Sequence, residues 1–321
     1  MSERIGVALT PMETRRDVIV DTALLAESLG YEVFSLAEGW TYDSTAMLSL
    51  IAARTQRIRL LPGVLSVWSR TPAVLAMGAA TLHEISGGRA ILGLGTSTQP
   101  LTEGLHDVAF TRPAEQLRKV TTQVRSLLAG QRATTSATGA RPLRLGLAPT
   151  PGLPIWIAAT GDLTTQVVAE AADGWYPLFL TLRSLQSRGD EIATARGENK
   201  PVTVAAGPFV VAGHGARDIA ASCLAWYVCA MGDGYAKLIA DQGFGDAVEA
   251  VIAANPRPTP TKSTVPVSAN DALAEFTVYG TPEEVHHNLE PWRAATDMLI
   301  AVLPAGMPWE NIEATLHAVA G

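Results

Sequence analysis

Glu38 is the ionisable residue best placed to do chemistry, because it directly follows the short apolar run Val33–Ala37 in the stretch Ala37-Glu38-Gly39-Trp40-Thr41-Tyr42-Asp43. A carboxylate at such a strand end either moves protons beside a substrate or accepts backbone hydrogen bonds as a structural group. Both readings stay open on the sequence. Trp40 and Trp68 offer broad apolar faces, to a substrate cleft or to the core. Asp43 reads as the cap of a helix that begins at Ser44. His106, in Glu103-Gly104-Leu105-His106-Asp107, carries the one side-chain type that titrates near neutral pH, and it either handles a proton or braces its loop.

Two glycine-bearing turns could hold a ligand. Gly93-Leu94-Gly95-Thr96-Ser97-Thr98 follows a strand, but Thr98 stands where a dinucleotide fingerprint needs its third glycine, and no helix is expected before Pro113. What survives is a strand end where glycines let a flat ring approach the backbone and Thr96 and Ser97 offer hydrogen bonds, or simply a tight turn. Gly161 lies between the run Ile155–Ala159 and a helix expected near Thr164, so Thr160, Gly161 and the following amides either bind an anion or form an ordinary turn. No His-x-His, His-Glu-x-x-His or Cys-x-x-Cys occurs, so no metal site is expected. A Gly-x-Ser-x-Gly elbow is absent, and Glu38 lacks the second carboxylate of a glycosidase, since Asp173 precedes its strand.

The elements that would position these residues alternate. Ile5–Leu9, Val33–Ala37, Ile58–Val64, Ala90–Leu94, Ile155–Ala159, Gly174–Pro177, Thr203–Val211 and Met298–Leu303 read as strands, each followed by a helical pattern. Helices are expected over Val18–Gly30, Ser44–Thr55, Pro72–Ser86, Pro113–Ala129, Thr164–Ala172, Leu185–Ala195, a long region Ala216–Ala254, and Trp309–Val319. Thr281-Pro282-Glu283-Glu284 has the hydroxyl, proline and glutamate of a helix start. The stretch from Gly130 to Pro142 lacks periodicity and reads as a surface excursion, and Asn255–Pro266 as a loop. Strand–helix alternation over 321 residues fits a single α/β domain, residues 1–321, as a (β/α)₈ TIM barrel with loop insertions, although an open doubly wound sheet shares the pattern.

Composition narrows the partners. Apolar residues make up 47% and charged residues 17%, enough for a large core, and the net charge of −7 comes without a basic block. Neither nucleic acid nor an anionic membrane is an expected partner. Met1–Leu9 does not read as a leader, and no apolar run reaches the length of a membrane helix. Cys223 and Cys229 read as buried core thiols. A cytoplasmic protein acting on a small molecule is expected.

Together the stretches Ala26-Glu27-Ser28-Leu29-Gly30-Tyr31, Ala37-Glu38-Gly39-Trp40, Ala53-Arg54-Thr55-Gln56-Arg57-Ile58, Ser86-Gly87-Gly88-Arg89, Leu92-Gly93-Leu94-Gly95, Ala158-Ala159-Thr160-Gly161 and Ala172-Asp173-Gly174-Trp175 resemble, in this order, the luciferase-like flavin- and F420-dependent oxidoreductases. The resemblance implies a (β/α)₈ barrel, a homodimer, and an isoalloxazine or deazaflavin ring at the C-terminal mouth. It places Gly63 and Val64 where the family often has a non-proline cis peptide against the ring, with Ser66 beside it. By the same resemblance Thr96 and Ser97 are ring contacts, and Thr160, Gly161, Leu163 and Thr164 form the phosphate turn. Glu103-Gly104-Leu105-His106 with Phe110 and Pro113 resembles the actinobacterial F420-linked branch, which makes coenzyme F420 the expected cofactor and FMN the alternative. The implied activity is hydride transfer between deazaflavin C5 and a small, mostly apolar substrate, with Glu38 and His106 as catalytic candidates and Trp40 and Trp68 lining the substrate cleft. An FMN-dependent monooxygenase and a non-catalytic flavin-binding relative are the rival readings, and a cofactor-free hydrolase is a third. Departures are Gly39 and Thr98, where the F420-dependent glucose-6-phosphate dehydrogenases carry His and Glu, and Asp162, where the phosphate turn usually has Pro.

Overall fold

The computed structural model describes residues 4–321; the first three residues of the Met1–Leu9 stretch and of the expected 1–321 domain lie outside the described residues. Its strand segments are β1 (Ile5–Leu9), β2 (Val33–Leu36), β3 (Arg59–Pro62), β4 (Leu65–Ser66), β5 (Leu92–Gly95), β6 (Ile155–Ala158), β7 (Gly174–Trp175), β8 (Thr203–Ala206), β9 (Phe209–Ala212), β10 (Thr277–Gly280) and β11 (Met298–Leu303). They follow one another in the order β3-β2-β1-β11-β8-β7-β6-β5-β4, every pair parallel. A parallel bridge from Leu60 to Ala90 brings β3 back to β5 and closes the ring. The sheet is therefore a barrel and not the open alternative. β3 and β4 share one barrel position, which leaves eight.

Strands enclosed by helices outside and side chains inside are buried on both faces, so they read as unbroken apolar runs. β1 and β11 are buried at every position, and both match the expected bounds. The expected strand Thr203–Val211 is instead two. Pro208 has no N–H to give a ladder, and a Cβ on Gly207 would lie 2.1 Å from the Ile300 carbonyl oxygen, so the chain steps out of the barrel there. β9 then pairs with β10, a strand the sequence reading missed.

The N-terminal face of the barrel is fastened by two side chains from the family-like stretches. Glu27 accepts from the backbone N–H groups of Gln56 (2.9 Å), Arg57 (3.1 Å) and Ile58 (3.1 Å). The Arg89 guanidinium donates to the carbonyls of Ser86, Ile58, Ala52 and Thr55 and to the Thr55 hydroxyl, at 2.7–3.0 Å. Those motifs are scaffold: they satisfy loop ends that would otherwise carry orphan backbone groups.

The long helical region expected over Ala216–Ala254 is broken. Helices Ala216–Ala230, Asp233–Ile239 and Gly245–Ala254 are separated by Gly232 (φ +86°) and by a π-helical turn, Ala240–Phe244, that contains Gly243 (φ +100°). A short helix, Gln99–Gly104, opens immediately after Thr98, earlier than the sequence suggested. The capping box at Thr281 forms as expected, with Thr281 and Glu284 exchanging hydrogen bonds. Among the described residues no helix is long and apolar enough to cross a membrane.

Candidate functional site

The C-terminal strand ends converge on two confluent cavities. The first, about 910 Å³ including its open mouth, is lined by residues following β1 (Thr10, Pro11), β2 (Ala37, Glu38), β3 (Gly63, Val64), β7 (Tyr176, Pro177) and β8 (Gly207), together with Ile300 and Val302 of β11. The second, about 840 Å³, runs from Gly95, Thr96 and Ser97 to Thr160 and Thr164. Val64, Ser97, Thr98, Ala158, Leu178 and Tyr235 belong to both, so the two form one bent cleft. An apolar chamber leads into a groove that ends at a helix start.

The Gly63–Val64 peptide is cis, as the resemblance implied, and it turns Val64 into the wall between chamber and groove. Glycines make room for this bulge from below. A Cβ on Gly93 would lie 2.2 Å from the Pro62 carbonyl oxygen, and one on Gly95 would lie 2.7 Å from Val64 Cγ2. The bareness of Gly93 and Gly95 thus admits the neighbouring strand; the ring approach expected at these glycines is not what fills the space. Gly63 is constrained in the same way, since its Cβ would fall 2.0 Å from Ser35 Oγ. That hydroxyl accepts from Tyr176 Oη at 3.0 Å, which ties β2 to the strand end after β7.

Glu38 lines the chamber, but both its oxygens are engaged. Arg70 donates to Oε1 and, at 2.9 Å, to Oε2, while the Ser44 N–H donates to Oε2 at 3.0 Å. Arg70 also pairs with Asp43 (2.8 Å), which caps the helix Ser44–Ala52 through the Ala46 N–H. Asp43 sits below its ordinary range: burial pushes it up, and the Ala46 N–H and Arg70 more than compensate. The geometry fits the structural reading of Glu38 better than proton transfer, because both carboxylate oxygens are already held, by Arg70 and by the Ser44 amide.

The other candidates divide. Ser66, Thr96, Ser97, Thr160 and Thr164 line the cleft, Ser97 with a left-handed φ of 58°. Trp68 does not: its indole N–H donates to the Thr96 carbonyl at 2.9 Å and its ring leans on Phe110, so it braces the strand end. Trp40 is exposed and outside the lining. His106 sits beyond the short helix, its N–H bonded to the Leu101 carbonyl, and lines neither cavity.

At the groove's end Gly161 precedes the helix Asp162–Ala171. Its carbonyl accepts from the Thr164 and Thr165 amides, which leaves the Asp162 and Leu163 N–H groups as the helix's orphan donors. The Leu163 side chain is exposed. Arg188 pairs with Asp162 at 2.8 Å and draws that negative charge away from the helix start.

Sequence reasoning missed the aromatic roof. Tyr227 and Tyr235 line the chamber and meet edge to face, ring centroids 5.1 Å apart, within a cluster that includes Phe179, Phe209 and Phe276. The break at Gly232 puts Tyr235 on a separate short helix, Asp233–Ile239, from which it lines both cavities. Burial pushes the Tyr235 phenol up to about 12; it does the same for Tyr176, against the opposing Ser35 hydrogen bond. Cys223 is buried and Cys229 partly so, both unpaired. Among the described residues no three His, Cys, Asp or Glu side chains cluster as metal ligands.

A family profile described as luciferase-like monooxygenase matches residues 1–297, and the chain belongs to that family. A protein of Mycobacterium tuberculosis, itself assigned only provisionally as a coenzyme F420-dependent oxidoreductase, is 35% identical over 49% of this chain and 50% of its own length. The 5,10-methylenetetrahydromethanopterin reductase of Archaeoglobus fulgidus is 31% identical over 47% of this chain and 46% of its own. The chain thus spans about half the length of these relatives. The structure of the coenzyme F420-dependent tetrahydromethanopterin reductase from Methanopyrus kandleri superposes with a TM-score of 0.79 at 20% identity, over 100% of this chain and 98% of that one. That likeness shows the shared barrel fold.

Proposed function

We propose that this chain is an F420-dependent oxidoreductase that transfers a hydride between deazaflavin C5 and a small, mostly apolar organic substrate. The bent cleft carries the reading: an apolar chamber against Val64, joined to a groove that ends at helix amides and two threonines, matches a flat ring with a phosphate tail. The names of the 31% and 35% identical relatives support F420 as the cofactor.

Val64 would back the ring, with Thr96 and Ser97 at its edge and Ser66 near the substrate side. Thr160, Thr164 and the amides of Asp162 and Leu163 would hold the phosphate, where the helix dipole favours negative charge. Bound deazaflavin supplies a hydride donor or acceptor at C5. The chain's own contribution is to orient the ring and exclude water behind the roof of Tyr227 and Tyr235. Glu38 holds Arg70 and the start of the following helix, and so fixes the chamber's rim.

The absence of Lys and Arg from the lining of both cavities favours one rival, an FMN-dependent monooxygenase, since an extended anionic tail would meet no cation there. As part of the same proposal the protein is a cytoplasmic homodimer. Two free thiols suit a reducing compartment, and the half-exposed Val74 and Met77 on one helix suit a subunit contact. Parallel titration with F420 and FMN, read by fluorescence quenching, tests the assignment. Saturable F420 binding, tighter than FMN by on the order of tenfold or more and weakened by Thr160→Ala with Thr164→Ala, is the expected result. Saturation by FMN alone would transfer the assignment to the monooxygenase.

A further inference from the structure

We propose that the arginine-bearing loop after the helix Pro113–Leu128 is a docking segment, and that it seats in an acidic groove along β10 of a second copy of this chain. The inference concerns surface away from the cleft and does not depend on the hydride-transfer reading.

Charge is unevenly divided along the chain. No acidic residue stands between Glu115 and Asp162, while Arg118, Lys119, Arg125, Arg132, Arg141 and Arg144 fall in that span. Arg118 and Arg125 are answered by Glu170 and Asp173. Arg132, Arg141 and Arg144 are exposed, and no carboxylate among the described residues pairs with them. The loop keeps its shape without covering itself. Arg132 donates to the Pro142 carbonyl at 2.7 Å, and the Ala133 amide to the Leu143 carbonyl at 2.8 Å. Ala133 and Leu145 pack on the core, whereas Leu143, between Arg141 and Arg144, is left 68% exposed. A bare leucine flanked by unanswered cations offers a partner apolar area and charge together.

The matching surface lies on the same chain. β10 pairs with β9 on one edge, and its other edge pairs with no strand among the described residues. All four β10 residues line a groove of about 1100 Å³ including its open mouth. Leu182, Val278 and Trp292 give this groove its apolar area, Glu275 and Glu284 are its charged residues, and no Lys, Arg or His lines it. Loop and groove therefore answer one another three ways: leucine to apolar area, arginines to glutamates, and extended backbone to a free strand edge. Within one copy no hydrogen bond or ion pair among the described residues joins them. The net charge of −7 opposes an anionic membrane or nucleic acid, whereas a second copy brings the acidic groove with it.

Sedimentation velocity at rising protein concentration, in low and in high salt, tests the proposal. The mass should rise with concentration in low salt and fall in high salt, because exposed ion pairs are screened. Arg141→Glu with Arg144→Glu, and separately Glu275→Arg, should each weaken the association on the order of tenfold, and the two sets combined should recover part of it. A dimer formed through Val74 and Met77 would persist in all of these variants, which separates that contact from this one. If the groove variant does not fold, the loop variants and Leu143→Asp decide the question. A mass independent of concentration and salt, or association unchanged by the loop and groove variants, overturns the proposal. Flotation on phosphatidylglycerol vesicles that needs Arg141 and Arg144, without self-association, would assign the loop to a lipid surface and likewise overturn it.

Discussion

Glu38 shows how far one residue's role depends on partners distant in the chain. Its Arg70 partner lies 32 residues away and its Ser44 partner six, so its strand-end position was legible but its pairing was not. Glu38→Ala leaves Arg70 with Asp43 as its one carboxylate partner and orphans the Ser44 amide, which should lower stability by about 2 kcal/mol, visible as an earlier urea midpoint. An unchanged midpoint would mean that the pairing adds nothing net. The tyrosines give a pH prediction. Tyr176 and Tyr235 ionise near 12 in the folded chain against about 10 when unfolded. Because the folded value is the higher, stability is intact below about pH 10 and declines as pH rises from there toward 12. Tyr176→Phe combined with Tyr235→Phe should flatten that alkaline decline; an identical slope in variant and parent would contradict the assignment.

At the level of elements, the strands and the caps were the most legible parts. β1 and β11 match their expected ranges because doubly buried strands leave long apolar runs, and the Thr281 capping box is a local pattern that needs no tertiary partner. Breaks were harder to read. Gly207-Pro208 splits one apolar run into two strands, and Gly232 with Gly243 divides what periodicity alone presents as one helical region, because a glycine's φ shows only in the coordinates. The glycines of β5 carry a prediction of their own. Gly93→Ala places a methyl 2.2 Å from a backbone carbonyl and should cost about 2–3 kcal/mol, in the upper part of the range for overpacking. Gly104→Ala meets nothing within 4 Å and should leave thermal stability within about 0.5 kcal/mol of the parent. Equal effects would mean that β3 and β5 do not press together as described.

For the whole molecule, the fold and the family could be read from the sequence, whereas the cleft could be read only at its strand-end rim. Thr96, Ser97 and Thr160 were identifiable because they lie just past expected strands, and Gly63 and Val64 through the family resemblance. Thr10 also follows a strand directly and was overlooked, whereas Tyr176, Tyr227 and Tyr235 come to the cleft from separated parts of the chain. Trp40, Trp68 and His106 shared the right neighbourhood in sequence but face elsewhere.

The central claim is that chamber and groove together seat one flat ring with a phosphate tail. A crystal structure of the F420 complex tests this most directly. The account predicts the deazaflavin ring against Val64, beneath Tyr227 and Tyr235, and the phosphate within hydrogen-bond distance of Thr160, Thr164 and the Asp162 and Leu163 amides. Density for the ring outside the chamber, or for a phosphate away from that helix start, would contradict it.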